Sequence, residues 1–411
     1  MQSAAAVLGF DEALTKVLQH ATDLPRPPSE PLALLACGDR VLAQPVLADR
    51  DQPPFNRSTR DGFAVRASDT LGPLKVVGQV RAGEQWRGST LEQNTAIEIM
   101  TGAPTPAGAD AVVMIEHVER TNNSIRLLAG RLIRSGENIV PQGSEARAGQ
   151  TVLASGSKIE GAEVALAASC GYTELEIYRR PKVAIVATGD ELVDLAATPG
   201  PHQIRNSNSY GLSELIRHAG GEPVQLPIAP DRRPELEQTI RSARHCELLL
   251  LSGGVSMGKY DLVEEVLQSL RAEFFFTGVK MQPGKPLVFG RLPADGQFPA
   301  QFFFGLPGNP VSTQVTFHCF VEPMLRAMGG AAVQGPRFLQ ATLAEDLAGK
   351  PGLMRVLPAR WTPDRVRPQV RLVSWQGSGD LAANAQANCY AVLPPDKDHL
   401  STGDVITILL R

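Results

Sequence analysis

Leu248-Leu-Leu-Leu-Ser-Gly-Gly-Val-Ser-Met-Gly258 decides how the chain is read. Its leading leucines predict a strand buried on both faces, as in a parallel sheet. A glycine-rich turn follows at once, and beyond it Val263, Val266, Leu267 and Leu270 recur at helical spacing. In open α/β sheets ligands settle beyond the carboxyl ends of the strands. Glycines let backbone amides approach an anion there, and the next helix N-terminus adds partial positive charge. Ser252 and Ser256 add hydroxyl donors. The run lacks the G-K-[ST] ending of a phosphate-binding P-loop. A plain tight connection is the competing reading of the same residues.

Outward from this stretch, strands and helices alternate between about Pro181 and Gly330. Expected strands are Lys182–Thr188, Pro223–Ile228, Glu247–Leu251, Phe274–Thr277, Pro286–Phe289 and Phe302–Phe304. Leu212, Leu215, Ile216 and Ala219 mark one helix, Arg233–Arg244 another, and a further helix begins at Asn309. This alternation predicts a mainly parallel sheet covered on both sides. Upstream, Phe10, Ala13, Leu14, Val17, Leu18 and Ala21 share a helical face, and Pro31–Leu35 also reads as helix-like. Arg40–Leu47 alternates like a strand. Short β-like runs at Leu74–Val80, Thr95–Met100, Ala111–Glu116 and Ser124–Leu128 predict a β-rich insertion. Between Thr151 and Tyr178 a strand, an alanine-rich helix and another strand follow, able to pack with the N-terminal segment across that insertion. After Gly330 only short β-type runs remain: Phe338–Leu343, Leu353–Arg360, Val366–Val373, Cys389–Leu393 and Val405–Leu410. The expected domains are 1–50 with 146–180, 51–145, 181–330 and 331–411.

Composition sets outer limits. The 411 residues carry a formal net charge of −3, so no global basic field draws nucleic acid or an acidic membrane. The five cysteines are far apart and never paired as C-x-x-C, which reads as reduced thiols in a cytoplasmic protein. No signal peptide is expected, and no run approaches the about 18 apolar residues of a membrane span.

Several polar groups cluster at strand ends of the α/β region. Thr188-Gly-Asp-Glu-Leu192 places Asp190 and Glu191 at the same rim as the serine loop, and Asp231 ends another strand there. Carboxylates beside a phosphate-binding turn suit a bridging divalent cation. Helix capping is the other reading of the acidic pair, and Asp261 in a first helical turn is electrostatically satisfied already. In Arg205-Asn-Ser-Asn-Ser-Tyr210, Asn206 and Ser207 either cap the next helix or contact ligand; both readings stand. Lys285, between prolines in Pro283-Gly-Lys-Pro286, is a cation fixed on a short turn, fit for phosphate or oxyanion. Asn309-Pro310 reads as an N-cap with proline at the first helical position. In the insertion, Asp61-Gly62 and Thr101 stand on turns that a bare connector would also explain. The histidines show no metal-ligand spacing, and His318 is assigned to packing or surface.

Taken together and in order, PPFNRSTRDGFAVR (53–66), MTGAPTPAGADAVVMIEH (100–117), TGDEL (188–192), RNSNSYGLSELIRHAGGEP (205–223), SGGVSMGKYD (252–261), PGKP (283–286) and GLPGNPVS (305–312) resemble the MoeA family. This is the family of molybdopterin molybdotransferases that includes the gephyrin E domain and plant Cnx proteins. The resemblance implies a split N-terminal linker domain, a β-rich inserted domain, a central MogA-like three-layer α/β domain and a C-terminal β-barrel-like domain. It implies a homodimer whose active site lies between the α/β domain of one subunit and the β-rich and C-terminal domains of the other. The implied reaction inserts molybdate into adenylylated molybdopterin, releasing AMP, with Mg2+ as cation. Molybdopterin adenylyltransferase and molybdoenzyme maturation proteins are the candidate partners.

Carried over by position, the catalytic residues are Asp61, Thr101, Glu191, Asp231 and Lys285. The substrate-binding residues are Ser207, Ser252, Gly253, Gly254, Ser256, Asp261, Pro286, Arg355 and Ser378. The metal ligands are Glu191, Asp231 and Asp261. The chain also departs from the family. Val140, Pro141 and Gln142 stand in place of usual arginines, Glu145 in place of an aspartate, and Gln282 in place of a lysine. Gly349-Lys-Pro-Gly-Leu-Met-Arg355 replaces G-R-x-E-F-x-R, and Ala382-Ala383 replaces a paired serine. These changes imply an altered molybdate half-site. They keep open a catalytically altered paralogue that binds molybdopterin or acts as a scaffold, and a molybdopterin adenylyltransferase is the third reading.

Overall fold

The structure is a computed structural model that describes residues 7–253 and 262–411. The leucine run becomes the strand Leu248–Ser252, every residue of it buried. It lies inside a six-stranded sheet ordered Glu222–Gln225, Lys182–Ala187, Leu248–Ser252, Gln301–Leu306, Val288–Leu292 and Glu273–Phe276. The first four strands are parallel, and Val288–Leu292 runs antiparallel to both its neighbours. Only eight residues separate its end from Gln301, too few for a crossover helix, so the chain returns directly.

Both faces of this sheet are covered, giving the expected three layers. One face packs on Leu212, Ile216, Val315 and Phe320. The other packs on Leu236, Ile240, Val263 and Val266. The predicted N-terminal helix forms as Phe10–Thr22, with Phe10, Ala13, Val17 and Ala21 buried. It joins the first of these layers, where the Phe10 and Phe320 rings lie 5.3 Å apart.

Pro31–Leu35 differs from the helix-like reading. Ser29–Ala33 is a strand, and Leu34–Ala36 a single 3-10 turn. Five residues with a proline among them carry no reliable period, and pairing with Glu174–Tyr178 settles the matter. Val46–Leu47 likewise pairs with Thr151–Leu153, so segments on both sides of the insertion share a small core. The insertion itself is a six-stranded sheet running Ala111–Met114, Gly62–Val65, Thr95–Ile99, Leu74–Val80, Ser124–Leu127 and Val118–Thr121.

At the C-terminus, Met354–Thr362, Gln369–Leu372, Phe338–Leu343, Val405–Leu410 and Cys389–Leu393 close into a five-stranded barrel, since the last pairs back with the first. The region is not all-β as expected. Leu381–Gln386 is a helix, capped where the Asp380 carboxylate accepts the Ala383 amide. Val356, Tyr390 and Leu409 of the barrel share the core of the α/β layers. Among the described residues no helix is long and apolar enough to cross a membrane. All five cysteines are free and buried.

Candidate active site

Parallel strands deliver their following turns to one rim. Lys182–Ala187 ends in Thr188-Gly189-Asp190-Glu191, Leu248–Ser252 ends in Gly253, and Gln301–Leu306 ends in Pro307-Gly308-Asn309. These turns touch. The Thr188 amide donates to the Ser252 carbonyl at 3.1 Å, and the Gly253 amide to the Leu306 carbonyl at 3.4 Å. Gly253 has φ +96°, and a Cβ built there would lie 2.5 Å from the Thr188 carbonyl oxygen. Glycine is required at that point by both conformation and space. Gly254, Ser256 and Asp261 lie outside the described residues.

The carboxylates stand at the same edge, exposed to solvent. Thr188 Oγ1 donates to Asp231 Oδ1 at 2.7 Å, and the Asp231 amide donates to Asp190 Oδ1 at 3.2 Å. Asp190 therefore ties the Asp231 turn to its own, and Thr188 orients the Asp231 carboxylate. Glu191 curls its carboxylate back over Gly189. This donor set is oxygen throughout, the chemistry suited to Mg2+, which binds through one or two carboxylates together with substrate phosphates. Among the described residues no three His, Cys, Asp or Glu side chains gather closely enough to hold a metal unaided.

Ser207 does not cap the helix Asn208–His218 with its side chain. The capping is done by Asn206, whose Oδ1 accepts the Ser209 amide at 3.2 Å. Ser207 is left exposed at the helix start. Its neighbour Asn208 reaches across the rim, donating from Nδ2 to Ser252 Oγ at 3.0 Å and to the Gly308 carbonyl at 2.7 Å. Asn309 occupies the expected N-cap position before Pro310 but makes no side-chain cap bond. It donates instead to Ser378 Oγ at 2.9 Å, while the Val311 amide donates to the Ser378 carbonyl at 3.0 Å. The barrel loop carrying Ser378 is thus pinned to the rim of the same chain.

Lys285 and Pro286 lie on the turn between Gln282 and Val288. Lys285 is exposed; its carbonyl accepts the Val279 amide at 2.9 Å, and its side chain makes no hydrogen bond or ion pair among the described residues. Gln282 aligns with Arg355 in a short parallel pairing that brings the barrel strand alongside this turn. Gln282 Oε1 and Arg355 Nε are both buried without a partner, although Arg355 Nη1 donates to the Ala348 carbonyl at 2.8 Å. In the insertion, Asp61 Oδ1 accepts from the Thr101 amide at 2.6 Å and from its hydroxyl at 2.8 Å. Those bonds, the amide first, hold the Asp61 carboxyl below its usual range. No hydrogen bond or ion pair joins Asp61 or Thr101 to the α/β rim among the described residues.

Three family descriptions match successive parts of the chain. They are the MoeA N-terminal region (domain I and II) at residues 8–171, the probable molybdopterin binding domain at 184–327, and the MoeA C-terminal region (domain IV) at 340–410. A molybdopterin molybdenumtransferase of Nostoc sp. is 35% identical over 392 residues, spanning 93% of this chain and 88% of that one. The chain belongs to the MoeA family. A molybdopterin molybdenumtransferase of Haemophilus influenzae is 32% identical over 412 residues, covering 98% of each chain. The crystal structure of the molybdopterin biosynthesis moeA protein from Pyrococcus horikoshii OT3 superposes with a TM-score of 0.80 at 27% identity, over 98% of this chain and 100% of that one.

Within this MoeA chain the substituted positions have settled neighbours. Glu145 pairs with Arg57 at 2.8 Å. The Gln142 amide donates to Asn56 Oδ1 at 2.8 Å, and Gln142 Nε2 to Asp51 Oδ2 at 3.1 Å. His318, assigned from sequence to packing or surface, is buried and bonded through Nδ1 to Glu322 at 2.7 Å. Thr188 and Asn208 are the site residues that sequence reasoning missed. Both stood inside the quoted motifs, but nothing in residue type alone told which donor faced which acceptor.

Proposed function

We propose that the chain is a molybdopterin molybdenumtransferase that inserts molybdate into adenylylated molybdopterin and releases AMP. The observation that carries this is the convergence of the Ser252–Gly253 turn, the Thr188-oriented Asp231 and the Asn309-held Ser378 at one rim of a MoeA chain. Backbone amides of the glycine turn and the Ser252 hydroxyl bind phosphate oxygens, as helix-proximal glycine loops do. Glu191, Asp231 and Asp261 would hold Mg2+, which when bound supplies charge neutralisation for the substrate phosphates. Lys285 and Arg355 present cations to the molybdate dianion, with Ser378 and Pro286 framing that end; Ser207, Gly254 and Ser256 extend the phosphate side. Asp61 and Thr101 serve the site of the partner subunit in a homodimer, which accounts for a preorganised carboxylate standing apart from its own rim.

A second reading is a MoeA paralogue that holds molybdopterin without turnover. The neutral Gln282 favours it, because in place of the usual lysine it leaves one cation fewer beside Arg355 to attract the anion. Purified protein incubated with adenylylated molybdopterin, molybdate and Mg2+ separates these readings. Molybdate-dependent AMP release supports the transferase. Tight binding with no AMP release favours the paralogue. Formation of adenylylated molybdopterin from ATP and molybdopterin would assign the chain to adenylyl transfer instead. Glu191→Ala should abolish the Mg2+ dependence of AMP release; unchanged dependence rejects Glu191 as a ligand.

A further inference from the structure

Asn208 is the first residue of the helix Asn208–His218, and its side chain reaches two other turns of the rim. The atom facing the Gly308 carbonyl oxygen at 2.7 Å has to be the amide nitrogen, because a carbonyl only accepts. That fixes the orientation of the amide. The second hydrogen of the same NH2 group goes to Ser252 Oγ at 3.0 Å. Ser252 therefore accepts from Asn208, and its own hydroxyl hydrogen is directed away from that amide. Ser252 is only 2% exposed, and no acceptor for that hydrogen occurs among the described residues.

We infer that Asn208 is a positioning residue that fixes the polarity of Ser252, making its hydroxyl an obligate donor to an oxygen of the bound adenylyl phosphate. The inference rests on the molybdenumtransferase reading, and it assigns to this site a group that touches no substrate. A serine hydroxyl in solution donates or accepts with equal ease. Here the donor role is set before the ligand arrives, so little reorganisation accompanies binding. The bond to Gly308 holds the amide in place, and through Asn309 and Ser378 the same turn meets the barrel.

Asn208→Asp keeps the shape and reverses the chemistry. A carboxylate accepts only, so Ser252 turns its hydrogen toward residue 208 and offers a lone pair to the phosphate. Ser252→Ala removes the hydroxyl. Asn208→Ala leaves the hydroxyl present but free to turn. The experiment is a double-mutant cycle on Asn208→Asp and Ser252→Ala. It reads kcat and KM for AMP release, together with AMP affinity by calorimetry and the thermal midpoint of each variant.

The expected result is a KM raised about ten- to a hundredfold by Asn208→Asp, the range of a charge-assisted hydrogen bond lost or reversed. Ser252→Ala should raise it less, and Asn208→Ala least. In the Ser252→Ala background the Asn208→Asp effect shrinks, because no hydroxyl remains to invert. The added negative charge and the lost Gly308 bond are common to both backgrounds and cancel in the cycle. An Asn208→Asp effect of equal size in both backgrounds means a purely structural residue and overturns the inference. So does an unchanged KM with wild-type turnover intact. Wild-type protein that neither releases nor binds AMP overturns the functional reading, and the inference falls with it.

Discussion

Gly253→Ala should unsettle the rim in a way that can be divided into two causes. The residue holds φ +96°, where an L side chain costs about 1–2 kcal/mol. Its new Cβ would lie 2.5 Å from the Thr188 carbonyl oxygen, a backbone atom that cannot swing aside. Forced overpacking of that kind costs about 1–3 kcal/mol. Alanine also restricts the unfolded chain, returning about 0.4–1 kcal/mol. The net expected loss is roughly 1–4.5 kcal/mol. Gly296 is the internal control, with φ +85° and nothing within 4 Å of a built Cβ. Gly296→Ala should therefore cost only about 0–1.5 kcal/mol. The difference isolates the contact with Thr188. Thermal and urea unfolding followed by far-UV circular dichroism report the helices of the α/β layers. AMP release reports the site, since pushing Thr188 also moves the hydroxyl that orients Asp231. Equal stability of the two alanine variants would refute the reasoning about close approach.

Three further outcomes follow from charge and burial. Glu322 is buried with His318, Arg326 and Arg337; burial opposes its ionisation, but those partners win and hold its carboxyl below the usual range. Its stabilisation is therefore present above its unfolded value of about pH 4.3 and is lost as pH falls through the lower folded one. Glu322→Gln should cost roughly 3 kcal/mol near neutrality and flatten the acid limb of stability, whereas an unchanged acid limb would remove Glu322 from the account. Thr101→Val deletes one of two donors to Asp61, so the Asp61 carboxyl should titrate higher in carbon NMR, though still below the ordinary aspartate range; an unmoved titration contradicts the pairing. Burial pushes the Cys389 thiol up to about 11 and Cys319 further still. With all five thiols buried, a thiol reagent at pH 8 should react fast with none in the native protein and with five after denaturation; a prompt native reaction argues against the packing.

The sequence carried the α/β platform because its strands are long aliphatic runs whose burial needs no partner information. Leu248–Ser252 and Lys182–Ala187 fall within a residue or two of their expected bounds. It carried less where pairing decides structure. Ser29–Ala33 is a strand because Glu174–Tyr178 lies against it, and no local period announces that. Closure of the barrel depends on Met354–Thr362 pairing on both edges, a tertiary fact. The helix Leu381–Gln386 was legible after all, since Asp380 before a Leu-Ala-Ala run is an N-cap signal. At the site, residue type pointed to Asp231 and Ser252, and the family resemblance to Ser378, while the donors that orient them were hidden. Thr188, Asn208 and Asn309 act through distances of 2.7–3.0 Å between turns far apart in sequence, which only the folded rim brings together.

On the proposed function, this rim converts adenylylated molybdopterin and molybdate to active cofactor. The most direct measurement is reconstitution of a cofactor-free molybdoenzyme by the purified protein, with AMP counted in the same reaction. The expected result is AMP release that depends on molybdate and matches the cofactor delivered, and its loss in Asp231→Asn. AMP release and reconstitution both absent from the wild-type protein, or both undiminished in Asp231→Asn, would contradict it.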